Sequence, residues 1–164
     1  AYAFAKAGVE APQLFAAIAD TALSRIHKFN PQNLANTAWA FATAGIDAPD
    51  LFAAVAATAL IPARVADFNP QDLANTAWAF ATAGVDTPEL FAAIADAAPS
   101  RLHEFSPQGL ANTVWAFATA GVQAPRLFAA IADAAMSRLG EFSPQGLAIT
   151  AWAFATTGVD APRL

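Results

Sequence analysis

Apolar residues recur along this chain three and four positions apart rather than in strict alternation, which is the period of a helix buried on one side. The recurrence is itself copied. The stretch from Phe29 to Gly45, FNPQNLANTAWAFATAG, returns with few changes from Phe68, Phe105 and Phe142. The leading Phe residues are 39, 37 and 37 positions apart, a period that suits a stacked two-helix unit. The pattern predicts an all-α fold: an α-solenoid of tandem two-helix repeats of 37 to 39 residues, with about four repeats forming one array over residues 1–164.

Each repeat carries its own boundaries. Asn30, Asn69, Ser106 and Ser143 precede a Pro, an N-cap followed by the one helical position where a missing N–H costs nothing. Gly45, Gly84, Gly121 and Gly158 stand where a left-handed residue ends the helix. Between them lies a helix of about 14 residues, roughly 21 Å long. Asp47-Ala48-Pro49-Asp50 and Asp86-Thr87-Pro88-Glu89 then predict a second helix with an acidic cap and an acid in its first turn, a signal weaker at Glu10 and Gln123. In its first copy this helix runs from Leu14 to about Ile26, burying Leu14, Phe15, Ile18 and Ala22 and turning Gln13, Asp20, Ser24 and His27 outward. Two extra residues and Pro62 predict a kink or looped boundary before Phe68.

On a helical wheel the first helix places Leu34, Ala38 and Phe41 on one side and Ala35, Trp39 and Ala42 on the next, an apolar arc wide enough for two neighbours. The tryptophans, Trp39, Trp78, Trp115 and Trp152, fall in that arc and are expected in the core; the alternative is a set of platforms for single-stranded bases. The remaining stripe is Asn33, Asn36, Thr37, Ala40, Thr43 and Ala44. In later copies it reads Asp72, Thr76, Ala79 and Ala83, then Gly109, Thr113, Ala116 and Ala120, then Gly146, Thr150, Ala153 and Thr157, and it is expected to form a small, neutral to acidic surface without Lys or Arg.

Ala1 to Phe4 match the middle of the repeat, with Tyr2 where Trp39 stands, and Asp160 to Leu164 match the start of a second helix. Both ends predict a stretch of a longer solenoid, since such arrays normally carry polar caps.

Composition narrows the functional classes. The chain is 57% hydrophobic with a formal net charge of −5, so it has material for a core. Without Cys it has no disulfide and no thiolate chemistry. Its most apolar run, Leu51 to Ala63, is shorter than the roughly 20 residues that span a bilayer. No Gly-rich phosphate loop, nucleophile elbow or His-carboxylate cluster is present, and most carboxylates sit at caps, so neither catalysis nor a cofactor is expected. His27 and His103 lie two repeats apart, too far to share a metal at roughly 10 Å per packed helix.

The phrase Phe-Ser-Pro-Gln-x-Leu-Ala-Asn-x-x-Trp-Ala, in a repeat of 37 to 39 residues, resembles the octotricopeptide repeat and the related heptatricopeptide repeats of algal and protist organelles. The family's Pro-Pro-Pro-Glu-Trp segment is represented only by Ala48-Pro49-Asp50-Leu51 and Thr87-Pro88-Glu89-Leu90. The resemblance implies an α-solenoid acting in plastids or mitochondria in RNA maturation, translation or ribosome assembly.

Two sets of residues are candidate contacts. Arg25, Arg64, Arg101 and Arg138 recur four positions before each repeat Phe, and such a row could follow a phosphate backbone. The preferred alternative is that each bonds the last carbonyls of its own helix. Asn33, Asp72, Gly109 and Gly146 occupy the variable position after Pro-Gln, where an RNA code would be written. Asn36, Asn75 and Asn112, replaced by Ile149, are read as links between repeats through backbone groups, with a base contact as the alternative. Eight Lys and Arg against thirteen Asp and Glu leave little positive field for a polyanion. The expected function is a non-catalytic scaffold bound to protein subunits of a larger organellar assembly; the second reading is an octotricopeptide-type protein that binds single-stranded RNA.

Overall fold

The computed structural model describes residues 12–61 and 64–158; Tyr2, Glu10, Pro62 and Asp160 to Leu164, on which some expectations rest, lie outside the described residues. Those residues form eight α-helices and no strand: α1 (Pro12–Arg25), α2 (Pro31–Thr43), α3 (Pro49–Ala59), α4 (Pro70–Ala83), α5 (Pro88–Ala97), α6 (Pro107–Thr119), α7 (Pro125–Met136) and α8 (Pro144–Thr157). A short 3-10 segment follows each odd-numbered helix: Ile26–Lys28, Arg64–Asp67, Pro99–Glu104 and Leu139–Glu141. No described helix is long and apolar enough to cross a membrane.

The even-numbered helices begin and end as their sequence predicts. Asn30 Oδ1 accepts from the Asn33 N–H at 2.8 Å while Asn33 Oδ1 accepts from the Asn30 N–H at 3.2 Å, a reciprocal cap that Asn69 and Asp72 repeat. Ser106 and Ser143 accept from the Gly109 and Gly146 N–H groups at 3.0 Å. Gly45 and Gly84 take φ of 63° and 66°, and the next N–H reaches back from Ile46 to Phe41 and from Val85 to Phe80 at 3.1 Å. These are Schellman turns, and only glycine adopts the left-handed step without strain.

Helices α3, α5 and α7 start without the expected acidic cap. Their N-caps are Ala48, Thr87 and Ala124, none of which makes a side-chain cap bond. Asp47 and Asp86 stand one residue too early. Pro at the first position sets the helical φ in their place, and Asp50 and Glu89 complement the dipole from the first turn.

Successive even-numbered helices pack side by side, α2 on α4, α4 on α6 and α6 on α8, with Cα atoms within 8 Å. Such an approach needs small side chains at the seam. Ala40, Thr76, Ala79, Thr113, Ala116 and Ala153 supply them and are buried. A Cβ on Gly109 would lie 3.9 Å from Ala74 Cβ, and one on Gly146 would lie 4.0 Å from Ala111 Cβ. This part of the stripe expected on the surface is therefore the joint between repeats, whereas Asn33, Thr43, Ala83 and Ala120 stay exposed.

The odd-numbered helices are held further apart, because α3, α5 and α7 pack against the 3-10 segments Ile26–Lys28, Arg64–Asp67 and Pro99–Glu104 of the preceding repeat. Two joined layers of unequal spacing bend toward the tighter one, so the even-numbered helices line the inside of the curve. Between the layers, Phe15 meets Phe41, Phe52 meets Phe80, Phe91 meets Phe117 and Phe128 meets Phe154, all edge to face with centroids 5.0 to 5.2 Å apart. Each such pair contributes about 0.5–1.5 kcal/mol beyond its buried area. Leu51, Leu90 and Leu127 are buried beside them, whereas Leu14, expected in the core, is 39% exposed.

Candidate binding face

Gln32, Asn36, Trp39 and Thr43 follow one another at steps of four, three and four, which puts them on a single line along α2. That line lies opposite Leu34 and Phe41, which are fully buried against the odd-numbered layer. It therefore faces the inside of the curve. Helix α4 repeats it as Gln71, Asn75, Trp78 and Thr82, α6 as Gln108, Asn112, Trp115 and Thr119, and α8 as Gln145, Ile149, Trp152 and Thr156. The Gln and Thr positions are exposed and the Asn positions half-buried.

The tryptophans flank the core and are not enclosed by it: Trp39, Trp78 and Trp115 pack against the buried cluster from its edge. Trp78 and Trp115 are half-buried and Trp152 is 47% exposed. Trp39 and Trp78 have ring centroids 6.1 Å apart at 34°, and Trp78 and Trp115 are 6.1 Å apart at 30°. They form a leaning row across the helices because the small residues at the seam bring neighbouring backbones close enough for the rings to meet. The core expectation holds only for one side of Trp39, Trp78 and Trp115, since Phe and Leu already fill the space between the layers.

A groove of about 860 Å³ crosses this face, lined by Trp39 and Thr43 of α2, Gln71 and Asn75 of α4, and Gln108 and Asn112 of α6. A second of about 380 Å³ lies one repeat on, with Gln108, Asn112, Gln145 and Ile149 in its lining. Neither is lined by Lys or Arg. Glu104 lines the first and Glu141 the second.

Arg101 Nη1 donates to the Phe68 carbonyl oxygen at 2.7 Å and Arg138 Nη1 to that of Phe105 at 2.8 Å; Arg64 makes the equivalent bond to Phe29. Each guanidinium thus bonds the residue that opens its own repeat and not the end of its own helix. The other edge of Arg101 meets Glu104 at 3.0 Å and that of Arg138 meets Glu141 at 2.9 Å. This hydrogen bond holds the Glu104 carboxyl below its usual range and raises Arg101. Arg25 is exposed and lies at the end of α1.

Asn33, Asp72, Gly109 and Gly146 all sit at the third position of their helices, engaged in the caps. They lie on the seam side of the Gln-Asn-Trp-Thr lines, and Gly109 lines the first groove and Gly146 the second. Asp72 is 5% exposed, and burial pushes its carboxyl up against the lowering effect of the Asn69 N–H. Among the described residues nothing hydrogen-bonds the side chains of Asn36, Asn75 or Asn112, so they do not link repeats as expected. His103 is exposed beside Glu104, and no group of three or more potential metal ligands occurs among the described residues.

The face was legible as a step pattern of four, three and four in polar and aromatic residues. Reading Trp as apolar hid it. No curated protein matches this chain. Residues 1–137 match the family model described as RNA-editing substrate-binding complex 6 protein, so the likeness to octotricopeptide repeats holds only at the level of a helical repeat. With more than four-fifths of its length matched, the chain belongs to the RNA-editing substrate-binding complex 6 protein family.

Proposed function

We propose that this chain is a non-catalytic scaffold segment of an RNA-editing substrate-binding assembly, holding protein subunits through the Gln-Asn-Trp-Thr face. The family description supplies the assembly, and the inner face, repeated on each even-numbered helix with Ile149 in place of Asn on α8 and with no Lys or Arg in its grooves, carries the choice of a protein partner. Phosphate contacts provide most of the affinity of proteins for nucleic acid, and they need free cations. Three of the four repeated arginines are bonded to the chain itself. Base stacking needs open ring faces. A base between two rings requires about 6.8 Å, twice the 3.4 Å stacking rise, and neighbouring tryptophans here stand 6.1 Å apart and lean together.

The setting proposed is the mitochondrion, the half of the organellar expectation that fits an RNA-editing family. RNA contact of the octotricopeptide kind is the second reading, favoured by the words of the family description.

One experiment separates them. The tagged protein is recovered from cells with and without nuclease, in parallel with a Gln71→Ala, Gln108→Ala variant. The scaffold reading expects partner subunits to survive nuclease and to be depleted by the variant. Loss on nuclease treatment, together with micromolar binding of single-stranded RNA that falls steeply with salt, replaces it with the RNA reading.

A further inference from the structure

We infer that the odd-numbered layer carries a second docking site, a groove between α3 and α5 that receives an amphipathic helix of a partner protein with a Lys or Arg beside its apolar face. The site is separate from the Gln-Asn-Trp-Thr face and does not depend on it. The groove has a volume of about 360 Å³ and is lined by Leu60 and Ile61 at the end of α3, Val65 and Ala66 of the 3-10 segment Arg64–Asp67, and Ala93 and Asp96 of α5. Apart from Asp96, the described lining side chains are all aliphatic. Leu60 is 38% and Ile61 49% exposed, so the array itself leaves them uncovered.

This patch departs from the repeat. Ile61 stands to Phe52 as Ser24, Ser100 and Ser137 stand to Phe15, Phe91 and Phe128. Ala66 stands to Arg64 as His27 and His103 stand to Arg25 and Arg101. Ala57, exposed one turn before Leu60 and Ile61, takes the place of Asp20, Asp96 and Asp133. Polar positions of the outer surface have thus become apolar in one repeat alone, and the changes gather around one groove. An exposed apolar patch with a polar rim marks a site of association.

The lining decides what fits. Its described side chains supply no hydrogen-bond donor. An extended segment would leave its carbonyls unpaired against an apolar wall, whereas a helix bonds its own backbone. Charge then selects among helices. The Asp96 carboxylate lies in the groove, Asp67 follows Ala66 in the chain, and among the described residues neither side chain makes an ion pair or a hydrogen bond. Glu104 and Glu141, which hold the place of Asp67 in the later repeats, are taken by Arg101 and Arg138. Arg64, the nearest cation in the chain, is bonded to the Phe29 carbonyl. A helix with a cation beside its apolar face meets a free carboxylate here, and one with an acid there is repelled.

The test uses the 164-residue chain and fluorescein-labelled peptides of about 18 residues, roughly five helical turns. Fluorescence anisotropy at about 0.15 M salt compares a Leu-Lys sequence with its Leu at helical spacing, a shuffled isomer with no apolar face, and the patterned sequence with Glu for Lys. The patterned Leu-Lys peptide is expected to bind about tenfold or more tighter than the other two. Returning the repeat to its neighbours' residues, Ile61→Ser with Ala66→His, is expected to weaken that binding about tenfold, and Asp96→Asn about threefold. Thermal melts should not change, because all three side chains are exposed. The inner-face variant Gln71→Ala, Gln108→Ala is expected to bind the peptide as wild type does. Equal binding of the shuffled isomer, undiminished binding to the Ile61→Ser, Ala66→His variant, or loss of binding in the inner-face variant would overturn the inference. Sedimentation of the chain alone tests for a second copy as the occupant: a monomer is expected, and self-association that Ile61→Ser with Ala66→His abolishes would likewise overturn it. Each of these failures leaves nuclease-resistant recovery of the assembly standing, so the two readings fail separately.

Discussion

Replacing Arg101 by Ala removes one guanidinium that bonds both the Phe68 carbonyl at the start of its repeat and Glu104 at the end. A hydrogen bond from a charged donor contributes about 1.5–3 kcal/mol when buried. The Arg101 side chain is 30% exposed, so solvent screening brings the expectation to about 1–2 kcal/mol. The Glu104 contact adds little, being on the surface. Arg138→Ala, which breaks the bond to Phe105 at 2.8 Å, should match it. Arg25→Ala is the internal control, since Arg25 is exposed and its loss should stay within about 0.5 kcal/mol. Arg101→Lys should recover little of the loss, because a single ammonium group cannot hold the carbonyl and the carboxylate in the fork geometry. The assay is urea unfolding followed by tryptophan fluorescence and circular dichroism, repeated at about 1 M salt, where the screening length has shrunk to about 3 Å. If Arg25→Ala and Arg101→Ala prove equal, or if the difference vanishes at high salt, the carbonyl latch does not tie the end of a repeat to its start and the reasoning is refuted.

Three further outcomes are expected. Thr76 Oγ1 is buried without a partner, while Thr113 Oγ1 donates to the Gly109 carbonyl at 2.8 Å. Thr76→Val should therefore stabilise by about 1–3 kcal/mol and Thr113→Val should destabilise by about 0.5–1.5 kcal/mol, read from thermal unfolding; the same sign for both would contradict the assignment. Phe91→Ala removes a fully buried ring that meets Phe117 at 5.0 Å and should cost about 3–5 kcal/mol, a loss that calorimetry would show. Asp72→Asn keeps the cap geometry that Asn33 uses and removes a carboxyl whose folded pKa is raised mainly by burial. A raised folded pKa means that the native state binds the extra proton, so wild type gains stability as the pH falls toward the ordinary value of 3.8. The variant should lack that gain, and parallel pH profiles would count against it.

The architecture could be read from sequence because its punctuation is local. Asn30 or Ser106 before Pro, and Gly45 or Gly84 after the last apolar position, act through bonds within a few residues, and the structure makes those bonds. The packing of one helix on the next could not be read so directly. Where most wheel positions are Ala or Thr, the wheel shows no sharp boundary between seam and surface, and Ala40 and Ala79 went to the wrong side. Trp78 was assigned by its hydrophobicity, although the space between the layers is already filled by Phe80 and Leu73. The partner of Arg101 lies 33 residues back in the chain and is a backbone atom, which no side-chain pattern marks.

The arginine latch is addressed to a main-chain oxygen, and every residue has one. The residue that opens a repeat therefore needs no particular side chain to accept it, and drift at that position leaves the bond intact. A duplicated unit carries donor and acceptor together, so arrays of this kind can gain or lose copies by recombination without first evolving a matching surface for this bond.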